Sequence, residues 1–322
     1  MPSILLTNFY SSSLLEIIQG VLPTGYSIIS LNEASKDEVI RKIPQADYLL
    51  VGGRTKIDSM VISAANRLKM IQRTGVGLDS IDFDALKGTS IPVYVNPGIN
   101  SRSVAEHTLM LILSVIRKLN SVDSLLKSGV WKKHELGMQN AELEGKTVGL
   151  IGLGHIGSLV AKMLQPFGVR TLYHKRERLS STAENELNVE YASFDDLIKQ
   201  SDIISLHCPL NPQTEDLLSW DEFTRMKKGA FIINTSRGKL IDEDALVHNL
   251  KSGQLRGAGL DVFRTEPLSK ESPLLDLDNV ILTPHISGIT YESFQKMMIE
   301  AFKNITAFEL GELESIQDKK LI

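Results

Sequence analysis

The chain has 322 residues, 42% of them apolar, and a formal net charge of −4. That is enough length and apolar surface for two cores of ordinary size, and the mild negative balance argues against a general polyanion binder, which needs a broad basic face. The single cysteine, Cys208, excludes an internal disulfide and fits a reducing compartment.

Residues 1–10 show neither the basic segment nor the apolar core of a secretory signal. The longest largely apolar stretch, 109–116, is too short to span a bilayer. A cytoplasmic protein is therefore expected. Apolar runs at 4–7, 27–31, 48–51, 70–73 and 93–96 predict strands, with helical patterns at 12–21 and 36–43 between them. Five strands wound this way imply a small flavodoxin-like domain.

Ser103-Val-Ala-Glu106 reads as a capping box, each side chain satisfying a backbone donor of the other. The helix that follows, to about residue 119, is apolar on most faces around Leu111, Ile112, Val115 and Ile116, which predicts burial at a domain junction or subunit interface. A second series of strands is predicted at 147–151, 169–173, 203–207, 231–234, 258–262 and 280–283. These runs are nearly continuous in apolar residues, as parallel strands covered on both faces are. From about residue 289 the pattern is helical again, and this tail is expected to return to the first domain. The expected fold is α/β, two Rossmann-like/flavodoxin-like doubly wound parallel-sheet domains with a cleft between them. One domain comprises 1–99 plus 288–322; the other comprises 100–287.

The sharpest motif is Gly152-Leu-Gly154-His155-Ile156-Gly157, which follows a predicted strand and opens a predicted helix. Gly152 permits a tight turn, Gly154 lets the backbone approach a pyrophosphate, and Gly157 lets helix and strand lie close. The amides that open the helix, at His155, Ile156 and Gly157, would face the anion. The motif points to a dinucleotide and makes 100–287 the cofactor domain.

At the end of the second strand of such a fold, NAD-binding proteins usually carry a carboxylate that accepts hydrogen bonds from the adenosine ribose. Here that place falls at Lys175, among His174, Arg176 and Arg178. Cations there can pair with a 2′-phosphate, each charge-assisted bond being worth about 1.5–3 kcal/mol. NADP is therefore the expected preference over NAD; a solvated basic loop is the plainer reading.

Hydride transfer to a ketone needs a cation on the substrate carboxylate and carbonyl, an acid for the forming alkoxide, and a partner that orients the acid. Arg237 follows one predicted strand, Asp261 and Glu266 follow the next, and His285 follows the last. Ligands bind at such strand ends in open α/β sheets. Taken singly, each has a plain reading: a surface ion pair for Arg237, a loop residue for Glu266, a satisfied core histidine for His285. The seven histidines form no recognisable metal-ligand cluster.

Together these motifs resemble the D-2-hydroxyacid dehydrogenases, the group that includes phosphoglycerate dehydrogenases, glyoxylate/hydroxypyruvate reductases and the C-terminal-binding-protein corepressors. The resemblance covers nearly the whole chain. It rests on Arg73-Thr-Gly-Val-Gly-Leu-Asp79, Asn96-Pro-Gly-Ile-Asn-Ser-Arg-Ser-Val-Ala-Glu106, Gly152 to Gly157, His207-Cys-Pro-Leu, Asn234-Thr-Ser-Arg237-Gly, Gly259-Leu-Asp261-Val-Phe and Thr283-Pro-His285.

The resemblance implies that Arg237 binds the substrate carboxylate and carbonyl oxygen, and that His285 donates the proton in reduction. Glu266 would hydrogen-bond His285, favour its imidazolium form and orient it. Asp261 would help to place the nicotinamide carboxamide, and Val104 would approach the ring. Thr235 and Ser236, with Cys208 and Pro209, would line the cofactor cleft. Val76 and Gly77 would meet the substrate carboxylate from the other domain. The segment 120–142, with Trp131, resembles the family's dimer arm, so a homodimer is expected.

The sequence departs from the family pattern at Lys175, where many members carry Asp. Phosphoglycerate dehydrogenases tend to carry an arginine early in the third-strand loop, whereas here that loop reads Val51-Gly-Gly-Arg54-Thr, with Arg54 displaced by about two residues yet still within reach of a substrate phosphate. The reading favoured is a glyoxylate, hydroxypyruvate or broader 2-keto acid reductase. An NAD-dependent 3-phosphoglycerate dehydrogenase is the alternative. A nucleotide-sensing corepressor-like protein is the rival from another class; no partner motif supports it.

Overall fold

The computed structural model describes residues 1–53, 55–75 and 77–322. They fall into two units, Met1–Asn100 with Tyr291–Ile322, and Ser101–Thr290.

The first unit begins with β1 (Ser3–Leu6), α1 (Ser12–Gly20), β2 (Ser27–Ile29) and α2 (Lys36–Lys42). It continues with β3 (Tyr48–Val51), α3 (Ser59–Ser63), β4 (Met70–Arg73) and β5 (Val93–Tyr94). All pairs are parallel and the order is β2-β1-β3-β4-β5, the flavodoxin-like order. All residues of β1 and β3 are buried, as inner strands covered on both faces must be.

The second unit opens with α4 (Ser101–Ile116), α5 (Leu119–Lys127), α6 (Lys133–Gly137), β6 (Thr147–Ile151) and α7 (His155–Leu164). Then come β7 (Arg170–His174), α8 (Ser181–Leu187), β8 (Glu190–Tyr191), α9 (Phe194–Gln200) and β9 (Ile203–Leu206). It ends with α10 (Trp220–Arg225), β10 (Ala230–Asn234), α11 (Glu243–Ser252), β11 (Leu255–Leu260) and β12 (Val280–Leu282). The seven parallel strands run β12-β11-β10-β9-β6-β7-β8. Counted within the unit, this is the dinucleotide-binding order 3-2-1-4-5-6 with one further strand. The switch point lies between β6 and β9, where the glycine turn also sits.

The last helix, α12 (Tyr291–Glu309), returns to the first unit. Its Phe294, Met298, Phe302 and Ile305 share a buried cluster with Ile4, Leu6, Tyr48 and Met70. Buried Asn304 fixes the helix against the sheet: its Nδ2 donates to Gln72 Oε1 (3.1 Å) and Asn96 Oδ1 (2.8 Å).

Two local expectations need correction. Helix α4 starts at Ser101, so Ser103 lies inside it and forms no capping box. Ser103 Oγ instead donates to the Ser287 carbonyl (2.7 Å), and exposed Glu106 pairs with Arg102 (2.7 Å). The helix also stops short of residue 119, because Lys118 turns the chain left-handed (φ 51°) before α5 begins. Edge strand β8 escapes detection because both its residues are exposed and polar or amphipathic.

Candidate active site

Strands β10, β11 and β12 are neighbours in the sheet, so the loops at their carboxyl ends leave side by side. Asn234, at the end of β10, folds the first loop: its Nδ2 donates to the Arg237 carbonyl (2.9 Å) and its Oδ1 accepts from the Ser236 amide (3.0 Å). Ser236 Oγ donates to the Cys208 carbonyl (2.7 Å), tying this turn to the segment after β9. Arg237 Nη1 donates to the Ser236 carbonyl (2.7 Å). The turn lies hard against the neighbouring loop, since a Cβ built on Gly238 would fall inside the Phe263–Arg264 backbone. Gly238, which closes the Asn234-Thr-Ser-Arg237-Gly motif, was given no role of its own from the sequence.

In the second loop, Glu266 Oε1 accepts from the Phe263 amide (3.1 Å) and Oε2 lies 2.7 Å from His285 Nδ1. Burial pushes the Glu266 carboxyl up. The His285 and Phe263 hydrogen bonds, with the charges of His285 and Arg237, outweigh burial and hold the carboxyl below its usual range. Glu266 is thus an acceptor, so Nδ1 of His285 carries the hydrogen of this bond. The structure joins Glu266 directly to His285 and brings Arg237 near enough for its charge to act on the carboxyl.

His285 has a left-handed backbone (φ 55°), which costs a residue with a Cβ about 1–2 kcal/mol. Asp261 holds it there. The Asp261 carbonyl accepts from the His285 amide (2.8 Å). Its carboxylate, fully buried, accepts from Thr283 Oγ1 (2.6 Å) and from the amides of Ile286 and Ser287 (both 2.9 Å). Asp261 therefore braces the histidine loop, a task for which sequence alone gave no signal beyond its place after β11.

The glycine turn has the geometry a diphosphate requires. Gly152 has φ 97°, and a Cβ there would lie 2.6 Å from the Cys208 nitrogen; a Cβ on Gly157 would strike the Gly152 carbonyl. A Cβ on Gly154 would meet nothing within 4 Å, so the space in front of the turn is open. The amides of His155, Ile156 and Gly157 at the start of the ten-residue α7 have no acceptor among the described residues. Donors and open space at a helix N-terminus fit an anion; the nicotinamide of a bound dinucleotide would supply or accept the hydride.

Around the turn, Val104 and Thr235 are buried, and Thr235 Oγ1 pairs with Thr108 Oγ1 (2.9 Å). Burial pushes the Cys208 thiol up to about 11, so it is no nucleophile at neutral pH. Pro209 is exposed, and its carbonyl accepts from Thr214 Oγ1 (2.7 Å). At the end of β7, His174 Nδ1 lies 3.1 Å from the Ala192 carbonyl and its ring meets Tyr191 and Phe194. Arg178 departs from expectation: it is committed to Glu184 (2.8 and 2.9 Å), which also accepts from Tyr173. Lys175 and Arg176 have no carboxylate partner among the described residues. In the first unit, the Gly77 carbonyl accepts from Arg73 Nε (2.7 Å); Arg54 and Val76 lie outside the described residues.

Residues 109–287 match the family model described as D-isomer specific 2-hydroxyacid dehydrogenase, NAD binding domain. The chain belongs to the D-isomer-specific 2-hydroxyacid dehydrogenase family. It is 41% identical to a glyoxylate reductase of Thermofilum pendens over 281 residues, 87% of this chain and 83% of that one. It is also 41% identical to a hydroxypyruvate reductase of Thermotoga maritima over 285 residues, 88% of this chain and 91% of that one. Among solved structures it resembles the NAD-dependent formate dehydrogenase of Staphylococcus aureus in complex with NAD (TM-score 0.86, 28% identity, 100% of this chain and 99% of that one). This dehydrogenase is thus an NAD(P)-dependent oxidoreductase acting on CH–OH donors, with a small 2-hydroxy or 2-keto acid as substrate. None of its described helices is long and apolar enough to cross a membrane.

Proposed function

We propose that this dehydrogenase reduces a small 2-keto acid of the glyoxylate or hydroxypyruvate kind to the D-2-hydroxy acid, with NADPH as preferred donor. The observation that carries the reading is the 2.7 Å contact of Glu266 with His285, on loops of adjacent strands, with the charge of Arg237 also lowering the Glu266 carboxyl. Arg237 holds the substrate carboxylate and polarises the carbonyl. His285 Nε2 gives the alkoxide its proton, and Glu266 keeps the ring oriented through Nδ1.

The preference for NADPH rests on Lys175 and Arg176 standing where a ribose-binding carboxylate would stand, with His174 beside them. Arg178 is left out of that set because it pairs with Glu184. Steady-state kinetics with a panel of glyoxylate, hydroxypyruvate, pyruvate and phosphohydroxypyruvate, each with NADPH and NADH, tests both parts. The expected result is the highest kcat/KM for glyoxylate or hydroxypyruvate with NADPH. A tenfold preference for NADH refutes the cofactor part, and a preference for phosphohydroxypyruvate replaces the substrate part with a phosphoglycerate dehydrogenase.

The arm formed by α5 and α6 buries none of its residues within the chain and exposes Leu119, Leu126, Trp131 and Met138. Such apolar surface in one segment supports an interface, and we assign it to a homodimer. Light scattering is expected to give twice the chain mass, and Trp131→Asp is expected to shift the mass toward the monomer. The half-buried lone thiol supports residence in the reducing cytoplasm.

A further inference from the structure

The face of α4 that carries Ser103 and His107, one turn apart, faces the histidine loop. Ser103 Oγ donates to the Ser287 carbonyl at the end of that loop. His107 Nε2 lies 3.0 Å from Thr283 Oγ1 at its start and 3.7 Å from Asp261 Oδ1. Between these points the loop carries His285, whose amide is held by the Asp261 carbonyl.

The direction of each bond follows from counting hydrogens. The Thr283 hydroxyl has one hydrogen, and Asp261 Oδ1 takes it at 2.6 Å. Toward His107 the hydroxyl can only accept, so His107 must carry a hydrogen on Nε2. A ring protonated on Nδ1 alone would set a lone pair against a lone pair and turn the hydroxyl away from Asp261. The buried Asp261 carboxylate has no Lys or Arg ion-pair partner among the described residues. Its charge is met by the Thr283 hydroxyl, two loop amides and the His107 dipole. Without His107, the Thr283 hydroxyl and the Asp261 carboxylate would each lose the N–H that faces them, and Asp261 is the residue whose carbonyl holds the His285 amide.

We infer that His107 is a positioning residue for His285, acting through the Thr283 hydroxyl and the Asp261 carboxylate to set where the proton-donating ring stands. The inference rests on His285 being the proton donor. A plain alternative is that His107 merely fills a half-buried site with its hydrogen bond satisfied. The two differ in which parameter moves. A misplaced acid slows the chemical step, and a displacement of the order of 1 Å costs about 10²-fold in rate; substrate binding through Arg237 is left alone.

The test compares His107→Leu, His107→Gln and His107→Asn. Glutamine carries an N–H donor at about the reach of Nε2; asparagine is shorter and does not. Steady-state reduction of the best keto acid is read together with amide hydrogen exchange over 283–287 in the cofactor-free protein. For His107→Leu, kcat is expected to fall by about 10–100-fold with KM changed by less than about threefold, and exchange over 283–287 to quicken. His107→Gln is expected to recover kcat to within about threefold, and His107→Asn is not. If His107→Leu folds poorly, the Gln and Asn pair still decides.

The proposal is overturned if His107→Leu turns over and exchanges like wild type, if Gln and Asn behave alike, or if KM alone rises. Failure of the proton-donor reading looks different: kcat then survives His285→Ala, while the exchange comparison still reports on the brace.

Discussion

Replacing His285 with alanine is expected to lower kcat by about 10²–10⁴-fold, the contribution of a positioned general acid–base group. The fold should survive the change. The side chain is 47% exposed, and alanine keeps the Cβ, so the left-handed backbone at this position is no worse off than with histidine. The melting temperature is expected to stay within a few degrees, which separates lost chemistry from lost structure. Glu266→Gln is the smaller companion change. An amide oxygen can still accept from Nδ1 but carries no charge, so Glu266→Gln is expected to lower kcat by less than His285→Ala does, read by steady-state kinetics. Wild-type turnover in His285→Ala would remove this histidine from proton transfer altogether.

Arg237→Ala is expected to cost about 10³-fold or more in kcat/KM, because in the proposed function one guanidinium serves both binding and the developing alkoxide. KM for the keto acid should rise and kcat should fall, the first from the lost carboxylate contact and the second from the lost charge at the carbonyl oxygen. Arg237→Lys should recover only part, since an ammonium cannot offer the planar fork that matches a carboxylate. A second signature follows from Glu266. Its carboxyl is raised by burial and lowered by His285, Phe263 and the charge of Arg237. Without the guanidinium it protonates at higher pH, so the acid side of the pH profile should move upward. Unchanged kcat and KM in Arg237→Ala would place the substrate carboxylate elsewhere.

Most of the sheet was legible because strand ends coincide with local breaks. β3, β4 and β6 run over the residues predicted, each an apolar run closed by glycine or polar residues. β11 begins three residues earlier than its apolar run, since Arg256 and Gly257 interrupt the pattern; Gly257 still pairs with Phe231, while Arg256 is skipped where the register with β10 shifts. Ser103 failed for the opposite reason. Serine three residues before glutamate is a sound local rule for a helix start, yet the partner of Ser103 is Ser287, 184 positions away.

The candidate site could be read as three groups at three strand ends, and the order of β10, β11 and β12 in the sheet makes those strand ends neighbours. What supports the three groups could not be read this way. Asp261, Thr283 and His107 touch across two loops and a helix, and no spacing in the sequence encodes that meeting. Arg178 illustrates the converse, a cation read as facing a ligand that is spent on Glu184 instead.

The closeness of Gly238 to the backbone at Phe263 and Arg264 has a mechanical consequence. With no room for even a methyl group between them, the two loops cannot slide past one another, and any shift of one carries the other along. Arg237 and Glu266, carried on these two loops, are thereby geared together, so a shortened or lengthened loop after β11 would displace both in a single stroke.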